Sequence, residues 1–250
     1  MIDLSLEIIA LLFFVAMLAG FIDAIAGGGG LLTIPALLLS GMSPISALAT
    51  NKLQACAGSF SASFTMVRKK MAHPKHMKTA LCFAFLGSAI GTILVQLSPP
   101  QFLKYAIPVV IALIGLYTLF SPNLGKIQQQ PKMSYSTWQK TIVPSIGFYD
   151  GYFGPGTGTF FSLSGVSLLG NDFTKATANA KLLNFATNIA SLIFFIFGGE
   201  IVWLVGFIMM AGQIIGAFIG SNMVIKGGAS FIRPVIVIMC FAMVIRYVFW

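Results

Sequence analysis

Charge is what this chain has least of. Only 8% of its 250 residues are Asp, Glu, Lys or Arg, and just six residues are acidic. A soluble domain carries about a quarter charged residues, so the shortage excludes an ordinary water-soluble fold. Histidine is nearly absent as well: His73 and His76 stand among Arg68, Lys69, Lys70, Lys75 and Lys78, where a divalent cation would be repelled. The three cysteines, Cys56, Cys82 and Cys240, lie singly in separate apolar runs. That spacing fits neither a metal site nor a disulfide framework and leaves them as packing residues. No polar stretch is long enough for a soluble domain. The run Gly27 to Gly30 is not followed by the Lys-Ser or Lys-Thr of a phosphate-binding loop. With no nucleophile, base or metal set in its apolar runs, the chain is not expected to be an enzyme or to hold a cofactor.

What is abundant is hydrocarbon. Hydrophobic residues make up 57% of the chain and the mean hydropathy is +0.92, which together mark an integral membrane protein. The formal charge of +9 falls between hydrophobic runs rather than on a face that could meet nucleic acid, so it reports topology. Residues 1–7 carry Asp3 and Glu7 in place of a basic leader, so the first apolar segment is expected to stay in the mature chain.

A helix needs about 20 apolar residues to cross the hydrocarbon. Six runs qualify: 45–67, 79–97, 102–120, 175–197, 201–224 and 230–249. Two further regions, 2–40 and 141–169, are broken by glycine, and in the second neither 141–153 nor 159–169 is long enough to cross alone. Cytoplasmic loops collect Lys and Arg, which places the loop 68–78 and the segment 121–140, with Lys126, Lys132 and Lys140, in the cytoplasm. If both broken regions are re-entrant, Lys175, Lys226 and Arg233 also fall inside, leaving Lys104 and Arg246 outside with Glu200. Re-entrance therefore fits the charges better than full crossing. It also gives each half three crossings, an odd number, which favours inverted over parallel repeats.

The halves are recognisable as copies. Gly20-Phe21-Ile22-Asp23, followed by Gly27 to Gly30, returns 127 positions later as Gly147-Phe148-Tyr149-Asp150, followed by Gly154-Pro155-Gly156-Thr157-Gly158. Ala47-Leu48-Ala49-Thr50-Asn51-Lys52 is echoed 129 positions later by Ala176-Thr177-Ala178-Asn179-Ala180-Lys181. Glycine runs in lipid free backbone groups that only protein or an aqueous cavity can cover. Their N–H groups, at the positive end of a following helix, suit an anion. Scattered glycines such as Gly87, Gly91, Gly212, Gly216 and Gly220 are better read as close helix contacts.

Lys52 and Lys181 follow the predicted helix starts at Ser43-Pro44 and Asp172 by about 12–14 Å of helix, which puts both near mid-membrane. Ionisable groups at that depth mark a substrate path or an ion pair. Asp23 and Asp150 are the available counter-charges, for pairing or for carrying a coupling proton. Asn184 and Asn188 share the helical face of Lys181, whereas Gln96 and Gln213 are expected to bond between helices.

Across essentially its whole length, and most specifically in Gly20 to Gly30, Ala47 to Lys52 and their second copies, the chain resembles the TauE/SafE, or sulfite exporter, family of membrane transporters. That resemblance implies export of sulfite or of organosulfur anions such as sulfoacetate and related sulfonates. The combined expectation is an all-α, multi-pass protein of the bacterial inner membrane, with pseudo-symmetric repeats at 1–120 and 141–250 joined by a cytoplasmic linker, 121–140. It would be a secondary transporter working by alternating access; a gated anion channel with two re-entrant halves is the alternative. Its substrate-binding residues would be Gly27, Gly28, Gly29, Gly30, Asn51, Lys52, Gly154, Gly156, Thr157, Gly158, Lys181 and Asn184. Its partners would be a small anion and the lipid bilayer, and a homodimer is compatible with the sequence.

Overall fold

In a computed structural model, residues 5–119 and 130–224 are described. The expected last span, 230–249, lies outside them together with Lys226, Arg233, Cys240, Arg246 and, in the linker, Lys126. The helices are α1 (Leu6–Ala26), α2 (Gly30–Leu39), α3 (Pro44–Arg68), α4 (Lys78–Gln96), α5 (Pro100–Leu119), α6 (Tyr135–Tyr152), α7 (Thr157–Ser167), α8 (Phe173–Gly198) and α9 (Trp203–Val224), with one 3-10 turn at Pro74–His76. No strand occurs among the described residues.

Local chemistry sets these boundaries. A side-chain oxygen accepts a backbone N–H at four helix starts: Ser5 from Ile8, Ser43 from Ser46, Ser134 from Thr137 and Asp172 from Lys175. Such caps satisfy donors that have no partner within the helix. Pro44 adds a fixed φ at the first helical position of α3. At the other end, α1 stops where Gly27 turns left-handed at φ 86°, and α8 stops at Gly199, φ 72°.

The Ser134 cap corrects one expected boundary. Helix α6 begins at Tyr135 rather than near residue 141, so Lys140 is helical and not part of the linker. Each broken region accordingly joins a long helix to a half-length one: α1 of 21 residues to α2 of 10, and α6 of 18 to α7 of 11. They are not pairs of equal half-helices. Among the described residues α1, α4, α8 and α9 are long and apolar enough to cross a membrane. At 25 residues α3 also has the length, but Thr50, Asn51, Lys52 and Gln54 make its centre polar.

That polarity is turned inward. Asn51, Lys52, Gln54, Lys181, Asn184 and Asn188 are all buried, while Leu11, Phe14, Phe60, Phe64, Ile90, Leu204, Phe207 and Phe218 are exposed. Polar groups inside and large apolar groups outside is the distribution lipid demands.

Glycine lets the helices meet. A Cβ on Gly87 or Gly91 of α4 would strike the carbonyls of Pro144 and Phe148 on α6, and one on Gly151 of α6 would strike that of Ser88 on α4. On the opposite flank, Gly212, Gly216 and Gly220 of α9 bear in the same way on Phe13, Met17 and Phe21 of α1. Spacing of four keeps such residues on one helical face and brings backbones together. Gly87 and Gly91 stand 129 positions before Gly216 and Gly220. Each broken region is thus clamped by a helix from the other half of the chain.

Gly151→Leu should cost about 3 kcal/mol through overpacking of the α4–α6 seam, seen as a lower unfolding midpoint in detergent. Leu86→Ala, at a residue 49% exposed on α4, should cost less than about 1 kcal/mol.

Candidate functional site

Two backbone breaks meet in the centre. Gly27, between α1 and α2, presses on Gly158 at the start of α7: neither position leaves room for a side chain against the other, and the Gly27 carbonyl accepts the N–H of Thr159 at 3.4 Å. The Thr159 hydroxyl donates to the carbonyl of Ala26 at 2.6 Å, fastening the contact.

Around this contact the four central charges pair crosswise. Lys52 of α3 reaches Asp150 of α6 at 2.9 Å, and Lys181 of α8 reaches Asp23 of α1 at 3.3 Å and also donates to the Asp23 backbone carbonyl. Each lysine therefore bridges to the carboxylate of the other half. Lys52 also donates to Asn188 Oδ1 at 3.3 Å.

The carboxylates lie where the sequence pointed to an anion. Asp23 Oδ1 accepts the backbone N–H of Gly29, just ahead of α2, at 3.2 Å. Asp150 Oδ1 accepts the hydroxyl of Thr157, first residue of α7, at 2.7 Å. Internal anions thus fill both helix starts. The two arms differ in access: the Asp150 side chain is 1% exposed and that of Asp23 18%.

Within this cage is a cavity of about 20 Å3, room for roughly one water. Twelve of the expected residues line it: Asp23, Gly27, Gly29, Gly30, Asn51 and Lys52 from one half, Asp150, Gly154, Gly156, Thr157, Gly158 and Asn184 from the other. Gly28 and Lys181 do not; the Gly28 carbonyl accepts the N–H of Leu31, and the Lys181 ammonium is turned onto Asp23.

Three lining residues stand outside the expected set: Ala55, Asn188 and Gln213. Asn188 could be found from its helical spacing to Lys181. Gln213 was expected to bond between helices, yet its Oε1 has no hydrogen-bond partner among the described residues. Gln96 donates within its own helix, to the carbonyl of Thr92 at 3.0 Å. Among the described residues no three His, Cys, Asp or Glu side chains gather into a metal site.

Residues 12–247 match the family described as Sulfite exporter TauE/SafE. The chain belongs to the TauE/SafE family. Membership makes it a membrane transporter and not an enzyme. It is 49% identical over 247 residues to a "Probable membrane transporter protein" of Haemophilus influenzae, covering 99% of this chain and 97% of that one. The TauE/SafE chain is also 49% identical over 231 residues to "Probable membrane transporter protein YfcA" of Escherichia coli K12, covering 92% and 86%. A Sinorhizobium relative, "Probable membrane transporter protein ORF9", is 42% identical over 244 residues, 98% of this chain and 94% of its own. No solved structure matches the chain.

The crossed pairing makes a specific energetic prediction. Lys52→Ala alone should destabilise by about 3–5 kcal/mol, because it strands the Asp150 carboxylate in the interior. Adding Asp150→Ala should recover part of that loss, whereas adding Asp23→Ala should not. Double-mutant cycles read by thermal unfolding check which carboxylate is coupled to which lysine.

Proposed function

We propose that this transporter moves a small sulfur-containing anion, such as sulfite or an organosulfonate, by alternating access between two inverted repeats, as an exporter in the bacterial inner membrane. The observation that carries this reading is the pair of crossed ion pairs around a small central cavity. An incoming anion finds both positive charges and both helix starts already held by carboxylates, so it binds by displacing them. Paired in this way the four charges cancel, which offsets part of the cost of holding them out of water. When substrate takes a lysine, a carboxylate is released and must find water or a proton.

Coupling follows from that exchange. Asp23, the more exposed carboxylate, is the one water reaches with less rearrangement, so its arm opens first. Opening there loosens the Gly27–Gly158 contact and lets the two halves tilt against one another. At about 20 Å3 the cavity is too small for sulfite, so binding requires the crossed pairs to part. A cytosol-negative potential adds an outward drive on any anion of about 2.3 kcal/mol per charge at 100 mV.

The family name of the matched region, and the resemblance of Gly20 to Gly30 and its second copy, support a sulfur oxyanion as cargo. Proteoliposomes should show saturable uptake of radiolabelled sulfite, inhibited by organosulfonates. Lys52→Ala and Lys181→Ala should each lower it at least about tenfold, the loss of one charge-assisted contact. Fast, unselective flux that includes chloride would establish the channel instead, and no flux of any sulfur anion would overturn the cargo.

A further inference from the structure

Helices α3 and α8 run in opposite directions past the site, and the two ends of that pair are built differently. Where α3 starts and α8 ends, Ser46 Oγ donates to Glu200 Oε2 at 2.9 Å and the Val202 N–H donates to Thr50 Oγ1 at 3.1 Å. Met42, Val205, Ile8 and Val202 belong to one apolar cluster there, so side chains fill that end.

The other end, where α3 finishes and α8 starts, is hollow. Asn171, Lys175 and Asn179 stand 129 positions after Met42, Ser46 and Thr50, and His73 and His76 stand 129 before Val202 and Val205. These five line a cavity of about 580 Å3, together with Tyr135 and three methionine side chains. A volume of that order is what small-molecule pockets have, against about 20 Å3 at the centre. Among the described residues no hydrogen bond ties the loop 69–77 to α8 as Glu200 and Val202 are tied to α3.

The lining is of one sign. It contains no Asp or Glu, and among the described residues Lys175 pairs with no carboxylate. The nearest acid in sequence, Asp172, uses Oδ1 to accept the Lys175 backbone N–H at 2.9 Å. The His73 and His76 rings lie 6.1 Å apart, edge to face, and an imidazole donates an N–H whether neutral or protonated. Exposed Arg68, Lys69, Lys70, Lys75 and Lys78 surround them. A cleft lined by one sign of charge concentrates ions of the other.

The hollow also leads inward. A smaller cavity of about 10 Å3 shares Met77, Tyr135, Leu169, Asn171 and Asn179 with it and reaches Ala180 and Leu183, the latter adjacent in the chain to Asn184 of the central cavity. Lys175 precedes Lys181 by six residues, about 9 Å of helix. We propose that this hollow is the mouth of the substrate path, a first anion site in which Lys175, His73 and His76 hold the cargo before it reaches the central lysines. This rests on the anion reading above and adds a second site to it. By its Lys and Arg the face is the cytoplasmic one, the loading side of an exporter.

Sided thiol labelling tests the mouth in a chain whose Cys56, Cys82 and Cys240 are replaced by alanine. In inside-out vesicles Asn179→Cys should react with the impermeant anionic reagent 2-sulfonatoethyl methanethiosulfonate at least about tenfold faster than with its cationic trimethylammonioethyl analogue, each rate taken relative to a free thiol; tenfold is the low end of enrichment by a charged cleft. Thr50→Cys should stay unlabelled over the same interval. Replacing Lys175, His73 and His76 together by Gln should cut the preference at least about threefold. Asn171→Cys, at a second lining position, serves if Asn179→Cys does not fold. In the chain with its own cysteines the same triple replacement should raise the KM for sulfite entering from that face at least about fivefold while kcat is kept. Equal rates for the two reagents, a preference that survives the triple replacement, Thr50→Cys labelling as readily as Asn179→Cys, or an unchanged KM each overturn the proposal. A native protein that moves no sulfite overturns the cargo reading instead, and the labelling then decides the mouth by itself.

Discussion

Two lysines and two aspartates meet in the interior, Asp23 partly exposed and the other three buried, and the rest of the structure is arranged to make that tolerable. An isolated charge in such surroundings costs several kcal/mol even after relaxation. Here each has an opposite charge at 2.9 or 3.3 Å, and further polar groups satisfy what remains: Thr157 on Asp150, Gly29 on Asp23, Asn188 on Lys52. Reaching those partners requires helices to break at the centre, and the breaks require glycine. The glycine seams of α4 with α6 and of α1 with α9 then hold the broken regions in register from outside. Remove the charges and neither the breaks nor the seams have a reason to be where they are.

Much of the architecture was legible from the residues. Helices α3, α4, α5, α8 and α9 lie where spans were expected at 45–67, 79–97, 102–120, 175–197 and 201–224, and length and hydropathy mark α4, α8 and α9 of these as able to cross. Lipid makes length and hydropathy decisive, and Ser43-Pro44 and Asp172 are unambiguous helix starts. The beginning of α6 was harder to see because residues 135–140 are polar; what starts the helix is the capping hydroxyl of Ser134, not an apolar face. Most of the expected site residues do come together, since an acid, a glycine run and a lysine in lipid have few other uses.

Three features could not be read from the chain. Matching segments show which residues correspond, not which face each other, so the crossing of Lys52 to Asp150 and of Lys181 to Asp23 emerges only in three dimensions. The place of Gln213 depends on notches at Gly20 and Gly58, on two helices far from it in sequence. The backbone N–H groups near the breaks were expected to await an anion, yet Gly27 donates to the Asp23 carbonyl and Gly29 to its carboxylate. A nearby carboxylate is itself an anion, and it takes the place first.

The crossed pairing also bears on how such a chain can change over time. A charge lost from either half leaves its partner exposed to the full cost of burial in the other half, 98 or 158 positions away in sequence. Neither half can drift by itself at these positions. Any lineage that trades one of the four must alter a residue in both halves together, so the two segments are bound to a shared history by electrostatics.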